Sequence, residues 1–564
     1  MSTLNISDFS GGLNNSQDQT LIADNESPDL QNVWVDDVGK SGILTKRRGI
    51  ATIVTASASG VTFGTGGVTT FGKIYSFTNV PTAASTSSTL AYYCPVTGTS
   101  GGFVFFSTAD SYLTFVDANL SGSTGGDLVT SSLLSYNDNI YALQSGTSLD
   151  KITQSTTGAS FSAVTGLLGT PYAMTMHKDM MFLATTSPSV NVASRLFWSN
   201  TGNPTVYPST NFVDIGTGDG ASITALVSYR DTLLVFKANR FPIANNTPTI
   251  NTSGGFYNGS LWRVDGDVSG FQNGVYSVKK ISSPPNIGII YPDSIIEWNN
   301  NLFFLTNDGI YFYDGNEIQK FSNKIQKTAD GLFQWRYTGD FGKIVSSDKT
   351  LVAVNGSSVV YKNNLWIFCN TLNLNGGLGL GSGNAMAAGG SPFTQTDLSN
   401  NTILFSNGQS IWKWLLTTLR IPNAVLDYQN QLISGLINGD SNAVMTFKLD
   451  QESRIDHNQA IRAYYTTKEF ILPEQQYIKF CNIIFRGQPN GLLTVEVNID
   501  QHGWVPATIN MRSAYKDIRK SERINIGQKG RSIQFRLSNN EPYVNFEIFS
   551  ISAEYSPLGE SNVS

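Results

Sequence analysis

Apolar and polar positions change places along this chain with the short period of β-strands, and no long helical stripe interrupts them. Val495, Val497 and Ile499 alternate with Glu496, Asn498 and Asp500, and Ile533, Phe535 and Leu537 alternate with Gln534, Arg536 and Ser538. Such segments build a sheet with one dry face and one wet face. The runs 463–470, 477–486 and 543–555 are of the same kind but longer, and predict a β-sandwich-like domain over 456–564. Upstream, one unit recurs at 136–143, 177–184, 229–236, 298–305, 361–368 and 428–435. Each copy is an aromatic residue or His, two or three polar turn formers, then a β-rich run. The turn formers predict tight hairpins. Asp308-Gly309 and Asp314-Gly315 mark a second hairpin behind one of them.

A spacing of about 40–70 residues suits irregular blades, so 51–455 is expected to be a β-propeller with insertions. Two ordinary sandwiches sharing one hairpin grammar are the competing arrangement, but six copies exceed what one sandwich needs. Between Lys73 and Lys151 the chain has no Lys or Arg and is rich in Gly, Ser and Thr. Short β-type runs at 70–77, 90–93, 102–106 and 112–116 persist there, which predicts tightly turned sheet. Residues 1–50 differ again: a polar arm carries spaced apolar anchors at Phe9, Leu13, Leu21, Ile22, Leu30, Val33 and Trp34. Too little apolar surface is present for a core of its own, but enough to lie along another. The expected class is all-β: an irregular propeller, an extended N-terminal arm and a C-terminal sandwich-like domain.

Composition agrees with many short strands and turns. Of 564 residues only 14% are charged, while 53 are Gly. The net charge of -5 offers no concentrated basic surface for nucleic acid. Lys46, Arg47 and Arg48 form one compact basic run, read as a solvated or intersubunit loop rather than a phosphate clamp. Cys94, Cys369 and Cys481 are scattered, as are His177, His457 and His502, so neither a disulfide framework, a metal site nor another cofactor is expected. No apolar run reaches the length of a bilayer helix and no secretory signal opens the chain, so no stable membrane insertion is expected.

Catalytic patterns are weak. Asp265 and Asp267 flank Gly266, and Asp214 and Asp219 lie in a Gly-rich stretch. Paired carboxylates can hydrolyse glycosides, but at this spacing Asp265 and Asp267 read as a turn. The glycines at 101–102 and 376–383 precede no Gly-Lys-Ser/Thr, and no metalloprotease or Gly-x-Ser-x-Gly motif occurs. Trp198, Trp262, Trp298, Trp366, Trp412 and Trp414 could stack on sugars, but are expected to pack between blades. The chain is therefore expected not to be an enzyme.

The opening residues resemble tailed-bacteriophage tail nozzle and hub proteins. The resemblance rests on Gly11-Gly12-Leu13-Asn14, Asp24 with 25–28, Asn32-Val33 and Lys46-Arg47-Arg48-Gly49, with a further likeness at 195–204. It implies a structural virion protein in a phage tail ring around the DNA-ejection channel, made in the bacterial host cytoplasm. It also implies a homo-oligomer, a hexameric ring, that meets other tail or adaptor proteins, tail fibers and passing double-stranded DNA. Phe9, Leu13, Leu30, Val33, Trp34, Arg47 and Arg48 would then be the assembly contacts. The alternatives are a receptor- or glycan-binding tail protein and a polysaccharide-degrading propeller enzyme; the latter needs two or three carboxylates converging in a central pocket.

Overall fold

The computed structural model describes residues 2–35, 42–55, 70–71, 75–82, 85–97, 102–107, 115–119, 132–137, 139–144, 148–155, 158–169, 171–187, 190–219, 221–238, 260–281, 292–306, 309–325, 351–373, 400–416, 419–420, 424–426, 432–438, 444–451, 455–456, 459–487, 491–511 and 519–558. The hairpin turn at 428–431 lies outside them.

The recurring hairpins open successive four-stranded antiparallel sheets, which form an irregular propeller of five blades. Blade 1 runs from Ser132–Tyr136 to Gly158–Ala163, blade 2 from Pro171–His177 to Phe212–Asp214, and blade 3 from Ser222–Tyr229 to Ser277–Ile281. Blade 4 runs from Ile296–Trp298 to Ile318–Lys320, and blade 5 from Leu351–Tyr361 to Ile411–Leu416. The first strands of blades 1 and 2, of 2 and 3, and of 4 and 5 meet one another, which puts them at the centre. Two further sheets span the gap between blade 5 and blade 1. One is five-stranded and places Phe115–Asn119 against the last strand of blade 1. The other is seven-stranded and pairs the N-terminal strand Gly49–Thr55 with Val444–Gln451.

The hairpins turn as their sequences require. Lys178 and Asp179 have φ of 49° and 57°, Asn299 and Asn300 48° and 60°, and Lys362 and Asn363 49° and 59°. Two consecutive left-handed residues suit the right-handed twist of the flanking strands, and Asn and Asp accept that conformation most readily.

The aromatic or His before each turn has its own task. His177 Nδ1 lies 2.8 Å from Ser228 Oγ in blade 3. The Tyr229 hydroxyl donates to the Asn300 carbonyl of blade 4 at 2.6 Å, and Trp298 Nε1 donates to the Asn363 carbonyl of blade 5 at 3.1 Å. Blades 2, 3 and 4 thus each hold the turn region of the next. Tyr229→Phe is expected to cost about 1 kcal/mol, because Arg230 Nη2 still satisfies the Asn300 carbonyl. Hydrogen exchange at the blade 4 hairpin checks this; unchanged protection there would remove the role assigned to the hydroxyl.

Trp198, Trp298, Trp366, Trp412 and Trp414 are buried and Trp262 is half-buried, as expected of inter-blade packing. Beyond the ring, the C-terminal strands form a ten-stranded sheet that curls toward a barrel. Its longest members are Phe470–Gly487, Lys520–Asn539 and Phe546–Pro557. The N-terminal segment supplies edge strands to it: Ser2–Ile6 and Leu44–Lys46 pair with Phe546–Pro557, and Asp29–Gln31 pairs with Ala463–Thr466.

Candidate functional site

Of the anchors singled out in the arm, Leu21 is exposed to solvent, while the others are used inside this chain. Phe9, Leu13, Leu30, Val33 and Trp34 are buried in one core shared with blade 5 and the C-terminal sheet. Phe9 meets Tyr465 edge-on at 5.5 Å, and Trp34 meets Phe405 and Trp414 at 5.4 and 5.7 Å. Gly12, with φ of 71°, lies so close to blade 5 that a Cβ would fall 2.7 Å from the Ile411 carbonyl oxygen. Asn14 donates to Glu26, which also pairs with Lys324 at 2.7 Å.

The basic run departs from expectation, since two of its three residues are buried rather than solvated. Lys46 is fully buried and its Nζ donates to Asn539 Oδ1 at 2.8 Å and to the Glu541 carbonyl at 2.9 Å. Arg47 grips Asp456 with both terminal nitrogens, donates through Nε to Asn32 Oδ1 at 2.8 Å, and lies over the Trp414 ring. Arg48 is half-buried, and its carbonyl accepts from Arg47 Nη1. Charges so far from water persist only when paired and hydrogen-bonded.

Each acid considered from sequence has a local partner. Asp214 receives Arg195 at 2.8 and 2.9 Å, and Asp219 receives the buried Lys237 at 2.8 and 2.9 Å. Asp265 receives Arg263 Nε at 2.8 and 2.6 Å. Asp267 caps the short helix Val268–Asn273, and the Gly270 backbone N–H holds its carboxyl below the usual range. The turn reading of Asp265 and Asp267 agrees with these contacts. Glu297 is the one acidic side chain on the first strands of the five blades, so those strands do not place two carboxylates opposite one another.

A different cluster lies on the wet face of the C-terminal sheet. The strands Leu492–Ile499 and Trp504–Asn510 are joined by a turn in which Asp500 and Gln501 have φ of 50° and 58°. Asp500 Oδ1 accepts from the Arg531 and Ser532 backbone N–H groups, and Asn498 Oδ1 accepts from Gly503 N. The turn is thereby pinned, and it places Trp504 opposite Asn498. The Arg536 guanidinium lies over the half-buried Trp504 ring, 4.0 Å from its centre, with Nη1 3.7 Å from Glu496 Oε2. Its Nε reaches Thr466 Oγ1 at 3.3 Å. Beside it the Tyr464 hydroxyl donates to Asp29 Oδ1 at 3.0 Å. Tyr464 and Asp29 come from strands that pair with each other, so the arm completes this surface. Trp504 escapes a reading by hairpin motifs, but its position was legible: it is a tryptophan opposite a wet-face asparagine.

No family model matches the chain, and no curated protein does. Solved structures that it matches include an exo-β-1,3-galactanase of Phanerochaete chrysosporium, one form with β-1,3-galactotriose and one with galactose. Both are 8% identical and cover 78% of this chain and 98% of theirs, with TM-scores of 0.26 and 0.22. A carbohydrate-binding module, TmCBM61 in complex with β-1,4-galactotriose, is 10% identical over 22% of this chain and 68% of its own, with a TM-score of 0.15. These matches correct the expectation drawn from the opening residues. They are a glycoside hydrolase and a sugar-binding module, not tail nozzle or hub components, so the virion reading and the exclusion of an enzyme are withdrawn. At such identities and TM-scores they transfer no residue, substrate or reaction to this chain. The motifs behind the tail resemblance have a local explanation in Gly12 against Ile411 and Arg47 against Asp456.

Proposed function

We propose that this protein binds glycans, and that the wet face of its C-terminal sheet holds the sugar around Trp504. The observation that carries this is the cluster of Trp504, Arg536 and Glu496, a half-exposed indole held beside a fixed donor and a fixed acceptor. A pyranose offers an apolar C–H face and a rim of hydroxyls. The part of the two-ring indole that Arg536 leaves exposed accepts the first, while guanidinium, carboxylate and amide groups bond the second. Asn498 and Tyr464 extend the polar rim on neighbouring strands. The surface is pre-organised because the turn before Trp504 is pinned by backbone bonds, which reduces the ordering cost of binding.

Affinity electrophoresis through gels containing soluble galactans or β-glucans tests this reading. The wild-type chain should be retarded by at least one of them. Trp504→Ala should weaken that retardation about tenfold, equivalent to about 1.4 kcal/mol. Retardation that is absent in every gel, or unchanged in Trp504→Ala, rules the site out.

A further inference from the structure

The strand Lys520–Asn539 bears a second set of groups, far from Trp504. Arg523 and Arg536 are thirteen positions apart, roughly 40 Å at strand rise. Arg523 stacks on Phe480 at 3.3 Å from the ring centre, and Arg519 stacks on Phe549 at 4.1 Å. Both arginines are exposed, and neither has a carboxylate partner among the described residues. Arg486, by contrast, faces the same Phe549 but is paired with Glu547. Between the two free guanidiniums lies Ser521, whose hydroxyl donates to Asn482 Oδ1 at 2.7 Å. Opposite Arg523, Asn482 and then Ser552 carry an uncharged polar row across the two neighbouring strands.

We propose that this face binds a carboxylated polysaccharide, a polyuronate, with Arg519 and Arg523 each receiving a sugar carboxylate. The proposal rests on the glycan-binding reading and adds the charge class of the ligand. A guanidinium matches a carboxylate through two parallel hydrogen bonds, and stacking on a ring fixes its plane beforehand. The two arginines are four positions apart, about 13 Å along the strand, so they meet successive parts of one extended polymer. The amides and hydroxyls between them suit its uncharged hydroxyls. A nucleic acid is the poorer fit. Phe480 and Phe549 are covered by guanidinium and offer no free platform for bases.

Binding of polygalacturonate, of the same polymer fully methyl-esterified, of neutral galactan and of a single-stranded oligonucleotide is measured by calorimetry on the whole chain. Polygalacturonate should bind, and should weaken at least tenfold on esterification and again in 0.5 M salt. Arg519→Gln with Arg523→Gln should lose at least tenfold for the acid polymer and nothing for a neutral glycan held at Trp504. Arg→Lys at both positions should fall between, since charge remains but the planar fork is lost. Equal binding of acid and ester, an unaffected double variant, or tighter arginine-dependent binding of the oligonucleotide would overturn the proposal. Neutral galactan bound through Trp504 with no binding of polygalacturonate would defeat this inference alone. No binding of any glycan would defeat both.

Discussion

Arg47→Met should destabilise the chain by about 3–5 kcal/mol, the cost of leaving a buried charge without its partner. Asp456 is buried, and Arg47 holds it from both terminal nitrogens while also bonding Asn32. Methionine would preserve much of the packing against Trp414 but leave the carboxylate stranded. The loss should be concentrated where Arg47 joins the arm to the ring: Asp456 pairs with Ile50, in the strand that closes on Val444–Gln451. Hydrogen exchange should therefore accelerate across Gly49–Thr55 before the blade cores respond, and the thermal midpoint should fall. Adding Asp456→Asn to Arg47→Met should recover part of the loss, since a neutral amide is cheaper to bury than a charge. A thermal midpoint that hardly moves in Arg47→Met would show that the pair does not secure the arm.

Acidification should weaken the fold through His177. This imidazole is 3% exposed, between Phe182 and Phe271, and its Nε2 has no hydrogen-bond partner. Burial, helped by the neighbouring Lys178 and opposed by Asp231 and Asp265, pushes its pKa down to about 4. In the unfolded chain it titrates near the ordinary value of about 6.5. Between these values the unfolded chain takes up a proton and the folded chain does not, so stability falls as pH drops from 6.5 toward 4. The full shift corresponds to about 3 kcal/mol. His177→Phe keeps an aromatic ring in an aromatic site and removes the titration; only the half-bond to the exposed Ser228 is lost. As pH falls below 6.5 the wild-type thermal midpoint should drop faster than that of His177→Phe, because carboxylates titrate alike in both and only the wild type carries the imidazole. Curves that stay parallel from pH 7 to pH 4.5 would mean that His177 takes its proton without cost.

Local chemistry made much of the architecture readable. Alternation at 495–500 and 533–538 does bury Val495, Val497, Ile533, Phe535 and Leu537 and turns Glu496 and Arg536 outward. Asn299-Asn300 and Lys362-Asn363 turn where the motif placed them. These features depend on a residue and its nearest neighbours, and a one-dimensional pattern contains them. The inter-blade bonds were only half legible: the aromatic before each turn was visible, its acceptor in the following blade was not.

The candidate sites were less legible, for a definite reason. Asp214, Asp219 and Asp265 looked available until Arg195, Lys237 and Arg263 came into contact with them. Trp504 gained meaning from Arg536, thirty-two positions away, and Arg523 from Phe480, forty-three positions away. In the arm, hydrophobic spacing announced that Phe9, Leu13, Leu30, Val33 and Trp34 would be buried, which is a matter of transfer out of water. What they would be buried against was a matter of geometry, as was the fate of Lys46 and Arg47. Asp456 lies 409 positions from Arg47, and a basic run looks solvated until the acid that neutralises it is brought alongside. The sequence by itself thus determined strands, turns and the need for burial, because those follow from short-range sterics and hydrophobicity. Only the tertiary structure decided which charges are paired, which rings remain at the surface and which guanidiniums are left to meet a ligand, because each depends on a partner distant along the chain.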